Sequence, residues 1–437
     1  MSRYRIAMVA ACPFPANHGS PASIREMSEA LARLGHQVHV VTYPDGQDIP
    51  VKGVTIHRAA RILSSKEVSV GPSWKRPILD LMLAVKLCRV IRRERIEIIH
   101  AHNYEGALVG FLAKLITRKP FLYNAVNTMI DELPGYRFIR PKALAVLVAR
   151  FLDRWVPRGA DHITVVSKEL GDFLKSKGIP EHRITIVPAG VNLEMFEQPD
   201  PEPVRRRFEI GSHPVVMYTG TLDPFQRIDY LLRAMQDVVS ALPETRLMIV
   251  SNIVAKEFLD RHRRLARELG IEDRVIFTGP IPLPDLPSYL AVADVVVMPR
   301  PSCPGHPVKL LNYMAAGRAI VAFEGSAKGL RNLYNGIVVP DHDWRQFGEG
   351  IRMLLKDPEL ARRLGENARA GIVGTFDWTT LAKGISVLYT GLVHVSRNGR
   401  LRLDQQELRK YLKASYDPVP PGNWAPARLS AMRSDKP

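Results

Sequence analysis

Residues 79–126 read LDLMLAVKLCRVIRRERIEIIHAHNYEGALVGFLAKLITRKPFLYNAV. Over 79–94 the apolar residues recur at helical spacing, and 96–102 (IEIIHAH) is a short β-branched run. The helical period returns over 105–116 (EGALVGFLAKLI), and 120–126 (PFLYNAV) is a second strand. Two strands joined by one such helix form a βαβ unit, which pairs its strands in parallel.

The alternation extends both ways. Toward the N-terminus, RIAMVAA (5–11), REMSEALARLG (25–35) and QVHVVTY (37–43) give strand, helix, strand; DHITVVS (161–167) and RITIVP (183–188) add further strands. EQPDPEPVRRR (197–207) is rich in proline and acid and reads as an interdomain linker. A second series follows through PVVMYTG (214–220), RLMIVS (246–251), RVIFTG (274–279), VVVMPR (295–300), AIVAF (319–323) and GIVVP (336–340). The expected architecture is two α/β domains, each a Rossmann-like parallel sheet, over 1–196 and 208–375, facing a central cleft. Residues 376–396 predict a closing helix. Segment 397–437, with nine basic and four acidic residues, is a basic C-terminal extension holding one short helix over 404–415.

A chain of 437 residues suffices for two or three domains, each with its own core. Its 46% hydrophobic and 24% charged residues exclude the disordered, collagenous and disulfide-scaffold classes. The net charge of +17 makes the surface attractive to polyanions, anionic lipids or phosphorylated substrates. Cys12, Cys88 and Cys303 lack C-x-x-C spacing, which implies neither a disulfide framework nor a zinc site and suits a reducing compartment. The longest apolar run, ALAVLVA at 143–149, is far below the roughly 18 residues of a membrane span. The expectation is a cytoplasmic protein, soluble or peripheral on a membrane.

Several positions carry candidate chemistry. Gly19, followed by Ser20 and Pro21, lies between the first strand and first helix, where backbone amides can approach a phosphate; a plain turn is the other reading. His100 and His102 lie two apart at a strand's C-terminal end, the ligand-binding edge of open α/β sheets. They either project together or split into one packed and one solvated ring, and no third residue makes them a metal site. Lys309 stands where a loop enters a helix starting near Val308. There a cation beside the amides of Lys309, Leu310 and Leu311 suits a diphosphate, the alternative being a solvated lysine. Arg227 is its candidate partner. Asp341-His342-Asp343 spells D-x-D but follows a strand in what reads as a surface turn.

Five phrases, in order and at matching spacings up to about residue 390, resemble glycosyltransferase family 4, the retaining nucleotide-sugar enzymes of GT-B fold. They are PFPANHGSPASIREMSEALARLGHQVHVVTY (13–43), IIHAHNYEGALVGFLAK (98–114), ITVVSKELGDFLKSKGIPEHRITIVPAGVNLEMF (163–196), MYTGTLDPFQRIDYLLRAM (217–235) and PVKLLNYMAAGRAIVAF (307–323). The resemblance implies an acceptor-binding N-terminal domain, a donor-binding C-terminal domain and no catalytic metal or other cofactor. It puts Gly19 and Ser20 toward the donor diphosphate, Lys309, Leu310, Leu311 and Asn312 at the donor, Thr221 in the loop after the second domain's first strand, and Phe277 and Gly279 near the base. Phe277 equally suits a core. Lys309, Arg227 and His102 are the catalytic nominees, with His100, Asn127 and Thr128 on the acceptor or sugar side.

The sequence also departs from the family pattern. Pro304 and Asn312 occupy the positions of two family glutamates, and Thr221 and Gln226 those of an arginine and a lysine. The family histidine falls at Val126, or at Asn127 with a register one residue later. The implied activity is transfer of a sugar from a nucleotide sugar to a glycan or lipid-linked acceptor; the rival is a silent GT-B subunit that only binds the sugar nucleotide. Nucleic acid has no motif to support it. Segments 75–95 and 137–158, with seven and six basic residues, either meet an anionic membrane surface or present ordinary solvated faces.

Overall fold

A computed structural model describes residues 2–16, 19–61, 76–133, 141–251, 256–303, 307–398 and 403–413. Two compact units divide these residues, one holding those within 2–190 and 374–413, the other those within 191–373.

The first unit holds strands β1 (Arg5–Ala10), β2 (Gln37–Thr42), β3 (Val54–Arg58), β4 (Ile98–His102), β5 (Phe121–Ala125), β6 (His162–Val165) and β7 (Ile184–Ile186). Its sheet runs β3-β2-β1-β4-β5-β6-β7, parallel throughout. The crossovers are α1 (Gly19–Arg33), α2 (Arg76–Arg93), α3 (Asn103–Thr117), α4 (Met129–Glu132), α5 (Lys142–Trp155) and α6 (Lys168–Ser176). β4 and β5 are buried along their whole lengths, the signature of a sheet covered on both faces.

The second unit opens with α7 (Glu202–Arg207), inside the stretch that reads as a linker, and α7 sits against α10. Its elements are β8 (Val215–Thr219), α8 (Ile228–Ala241), β9 (Arg246–Val250), α9 (Lys256–Glu268), β10 (Val275–Gly279), α10 (Leu286–Val292), β11 (Val295–Met298), α11 (Val308–Ala315), β12 (Ala319–Phe323), β13 (Ile337–Val339), α12 (Trp344–Lys356) and α13 (Pro358–Ile372). The sheet order is β10-β9-β8-β11-β12-β13, again parallel. Asp343 of the D-x-D triplet caps α12 by accepting from the Gln346 amide at 2.9 Å, and Asp341 accepts from the Gly325 amide. Both carboxylates thus serve backbone amides.

The chain then returns to the first unit. α14 (Trp378–Asn398) lies along α1, and α15 (Gln405–Tyr411) lies on α14. Trp378, Leu381, Ile385, Leu388 and Tyr389 fill the sheet face formed by Ile6, Met8, Val40, Ile98 and Leu122. Each fully buried aliphatic side chain contributes on the order of 1.5–3 kcal/mol, so the sheet depends on this last helix for one of its faces. Residues 414–437 of the extension lie outside the described residues.

Histidines line this contact. His36 Nδ1 accepts from the Tyr4 amide at 3.2 Å, so its Nε2 carries the proton and meets Ser386 Oγ at 2.8 Å. Ser386 in turn donates to the Ala382 carbonyl. Burial pushes the His36 imidazole down to about 4. A folded pKa below the unfolded value keeps its stability above about pH 6.5 and loses it as pH falls toward 4, because only the unfolded chain takes up the proton. Glu26, held up at about 7 by burial, acts in the opposite sense. His36→Gln, which keeps one donor and one acceptor, is expected to shrink the drop in melting temperature between about pH 7.5 and 5. An unchanged drop rejects this role.

Candidate functional site

β8 delivers the second unit's site. Its ladder with β9 continues to Thr219, but its pairing with β11 stops at Met217, leaving the Thr219 amide to find another acceptor. Tyr313 of α11 supplies it: its hydroxyl accepts from the Thr219 amide at 2.8 Å and from Thr219 Oγ1 at 3.2 Å. This contact ties α11 to the C-terminal end of β8. Tyr313→Phe leaves a buried amide unpaired and is expected to cost about 1–3 kcal/mol. Thermal unfolding would measure the loss, and an unchanged melting temperature would show that the tie is dispensable.

Lys309, in the first turn of α11, reaches back over that end. Its ammonium donates to the Tyr218 hydroxyl at 2.9 Å and to Gln226 Oε1 at 3.0 Å, and stands 4.4 Å from the Tyr218 ring centre. Tyr218 donates onward to the Thr221 carbonyl at 2.8 Å, which fixes its direction as an acceptor toward Lys309. Gly220 makes the arrangement possible: a Cβ there would lie 2.5 Å from Lys309 Nζ, and its φ of +135° is one that side-chain-bearing residues rarely adopt. Burial, helped by Arg300, pushes the Lys309 ammonium down to about 7. Among the described residues, two of its three N–H groups have partners.

Arg227 does not share this cluster. It holds a left-handed backbone (φ 55°) before α8, its guanidinium pairs with Asp229 through bonds of 2.9 and 2.7 Å, and it lies 3.4 Å from the Tyr230 ring centre. Gln226, buried and adjacent in sequence, is the side chain that meets Lys309 instead. Arg227 and Asp229 line a separate pocket of about 190 Å³ with Leu222, Pro224, Phe258, Arg261 and His262. The amide of Leu310 is occupied by the Pro307 carbonyl at 2.9 Å, so it drops out of the expected run of free amides. Leu310 and Leu311 are buried in side chain, and Asn312 is half-buried. Phe277 is half-buried on outer strand β10, with the Arg263 guanidinium 5.6 Å from its ring centre, while Gly279 ends that strand beside open space. Pro304 lies outside the described residues.

In the first unit Gly19 opens α1 at φ +53° with open space where a Cβ would stand, and Ser20 Oγ approaches Asn103 Oδ1 at 3.4 Å. His100 and His102 share one face of β4 with ring centres 4.5 Å apart, yet both are buried, so neither is the solvated member of a pair. His100 Nδ1 meets the Tyr389 hydroxyl of α14 at 2.7 Å. Thr164 donates to Asn124 Oδ1, Asn124 Nδ2 therefore donates to His102 Nδ1, and the His102 proton resides on Nε2. Burial depresses both imidazoles, His102 to about 3, so each stays neutral at physiological pH. His102 is thus a fixed neutral group at the sheet edge. Thr128 caps α4, accepting from the Asp131 amide and donating to the Asp131 carboxylate, while Asn127 is half-buried beside it.

Three buried supports were not legible as such: Tyr218, Tyr313 and Asp153. Asp153 of α5 is fully buried, takes the amides of Met129 and Ile130 at 2.8 and 3.1 Å, and accepts from Tyr104. The available signal was general: a tyrosine inside a buried strand, or an acid in an apolar helix, requires a partner.

Comparison with known proteins covers both units. A family model described as "Glycosyltransferase Family 4" matches residues 18–195, and one described as "Glycosyl transferases group 1" matches 202–371. A D-inositol 3-phosphate glycosyltransferase of Thermobispora bispora is 28% identical over 391 residues, spanning 84% of this chain and 88% of the relative. A GDP-mannose-dependent alpha-(1-6)-phosphatidylinositol monomannoside mannosyltransferase of Mycolicibacterium smegmatis is 29% identical over 255 residues, 56% of this chain and 66% of the relative. Among solved structures, sucrose-phosphate synthase from Thermosynechococcus elongatus superimposes with a TM-score of 0.73 at 22% identity, covering 90% of this chain and all of that one.

Proposed function

The chain is a glycosyltransferase of GT-B fold belonging to family 4, and on that premise we propose that it moves a sugar from a nucleoside diphosphate to a hydroxyl of a lipid-linked or polysaccharide acceptor, with retained anomeric configuration. The observation that carries this reading is Lys309: a part-buried cation at the first turn of α11, held by Tyr218 and Gln226 over a glycine that leaves it room. Departure of a nucleoside diphosphate builds negative charge on its phosphate oxygens, and a fixed cation in a water-poor setting lowers the barrier to that departure. The amides at the start of α11 add the positive end of a helix dipole.

Retention is read as attack from the side the diphosphate leaves, the departing phosphate taking the acceptor proton. No protein nucleophile is then required, and the family histidine position can hold Val126 or Asn127. The reaction as proposed takes no metal ion, the leaving-group charge being met by Lys309 and the helix amides. The name of one relative, GDP-mannose-dependent and directed to a phosphatidylinositol monomannoside, supports a nucleotide-sugar donor and a lipid acceptor; the other is named for inositol 3-phosphate, a phosphorylated polyol, and supports the transferase class alone. The workplace we assign is the cytoplasmic face of a membrane.

The test is direct. The purified protein is incubated with UDP-, GDP- and ADP-sugars, and both donor hydrolysis and transfer to lipid-linked acceptors are measured. Turnover of at least one donor is expected; binding without turnover across the whole set would replace the transferase with a sugar-nucleotide-binding subunit.

A further inference from the structure

Sixteen large hydrophobic side chains are exposed among the described residues, and twelve belong to α2, α3 and α5 of the first unit. α2 presents Ile78, Leu81 and Val85; α3 presents Leu108, Leu112, Leu115 and Ile116. α5 presents Leu144, Leu147, Val148, Phe151 and Trp155, with Leu147 65% and Phe151 59% exposed. Spacings of three and four make one stripe on each helix. The inner sides of all three helices join a single core cluster on one face of the sheet, so the stripes look away from that face together. α3 bridges its neighbours, with Glu105 paired to Arg76 of α2 and Tyr104 bonded to Asp153 of α5.

The charges on these helices are sorted by sign. Arg89, Arg92 and Arg93 of α2 and Lys142, Arg150 and Arg154 of α5 are exposed. The acids turn inward: Asp80 accepts from the Tyr43 hydroxyl, and Asp153 is fully buried. On α2 the outward line passes from Val85 to Arg89 and Arg92, so the apolar half of the helix runs straight into its cationic half. A second copy of the chain related by a two-fold axis would face this cationic surface with itself, which is unfavourable. An anionic bilayer satisfies both components, apolar residues reaching the acyl boundary and arginines the phosphates, with Phe151 and Trp155 suited to the interfacial depth.

We propose that the outer face of α2, α3 and α5 is a docking surface for an anionic lipid bilayer, held by the apolar stripes as well as by charge. The contact is independent of the donor chemistry, so its failure leaves the transferase reading standing, and the reverse holds equally.

Flotation of the full chain with vesicles tests it, comparing pure phosphatidylcholine with the same lipid containing about 30% phosphatidylglycerol, at low and high salt. Wild type is expected to float with the anionic vesicles, and a fraction is expected to survive high salt. L147S/F151S/W155S is expected to lower the salt-resistant fraction by about tenfold or more, and R89Q/R92Q/R150Q/R154Q to remove the preference for anionic lipid. Melting temperatures equal to wild type confirm that these exposed substitutions leave the fold intact; a variant that melts lower is replaced by its single-substitution members. Absence of wild-type flotation, or flotation indifferent to both sets, overturns the proposal. So does a wild-type dimer in light scattering that L147S/F151S/W155S converts to monomer.

Discussion

Lys309→Met lowers kcat/KM for the nucleotide sugar by about 10²–10³-fold, the loss ordinarily seen when one fixed donor to developing charge is removed. The substitution keeps an unbranched apolar stem and removes the ammonium together with its contacts to Tyr218 and Gln226. Folding is expected to hold or improve, because a cation pushed down to about 7 by burial costs the folded state stability whenever it is charged. The signs against pH are opposed. As pH rises through about 7 the free enzyme loses the charged form, and kcat/KM falls. Over the same rise, up to the unfolded value near 10.5, the unfolded chain keeps its proton while the folded one does not, so stability rises. Lys309→Met should flatten both trends. Steady-state kinetics and thermal melts from about pH 6 to 9 decide the matter, and an unaltered kcat/KM removes Lys309 from the donor site.

Trp378→Ala is the largest expected loss of stability, about 3–5 kcal/mol in the first unit. The indole is 1% exposed, and its Nε1 donates to Glu26 Oε2 at 2.8 Å. It also lies so close to Gly190 that a Cβ there would stand 2.6 Å from the ring. Removing it opens a cavity between α1 and α14 and leaves Glu26, already held at about 7 by burial, without its donor. Trp378→Phe keeps most of the volume and isolates the hydrogen bond; its loss should be smaller. Calorimetry resolves the first unit's transition, and an Ala variant that melts with wild type would mean that α14 does not brace the sheet.

Much of the fold was legible because runs such as IEIIHAH and VVVMPR carry their burial in their composition, and helices between them force parallel pairing. Boundaries were less so. EQPDPEPVRRR has the proline and charge of a linker, yet its last residues form α7, since Val204 finds a buried place in the second unit. In the second unit, the place of Lys309 at a helix start could be read from local spacing, but its partners could not. Gln226 lies 83 residues from Lys309, and nothing in PFQRID distinguishes the side chain that turns to it from the arginine beside it. The same limit hid the state of His100, whose burial depends on Tyr389, 289 residues away.

The first unit is assembled from two stretches of the chain on either side of the second, and that governs the order of events during synthesis. Once residue 373 has left the ribosome, the second unit has all of its described residues, whereas the first still lacks the helix that closes one side of its sheet. The domain translated first therefore finishes last, contrary to the usual N-to-C sequence of domain folding. Until α14 has emerged, Ile6, Met8, Val40 and Ile98 are covered only by α1 on a nascent polypeptide, a natural substrate for chaperones that recognise greasy surface.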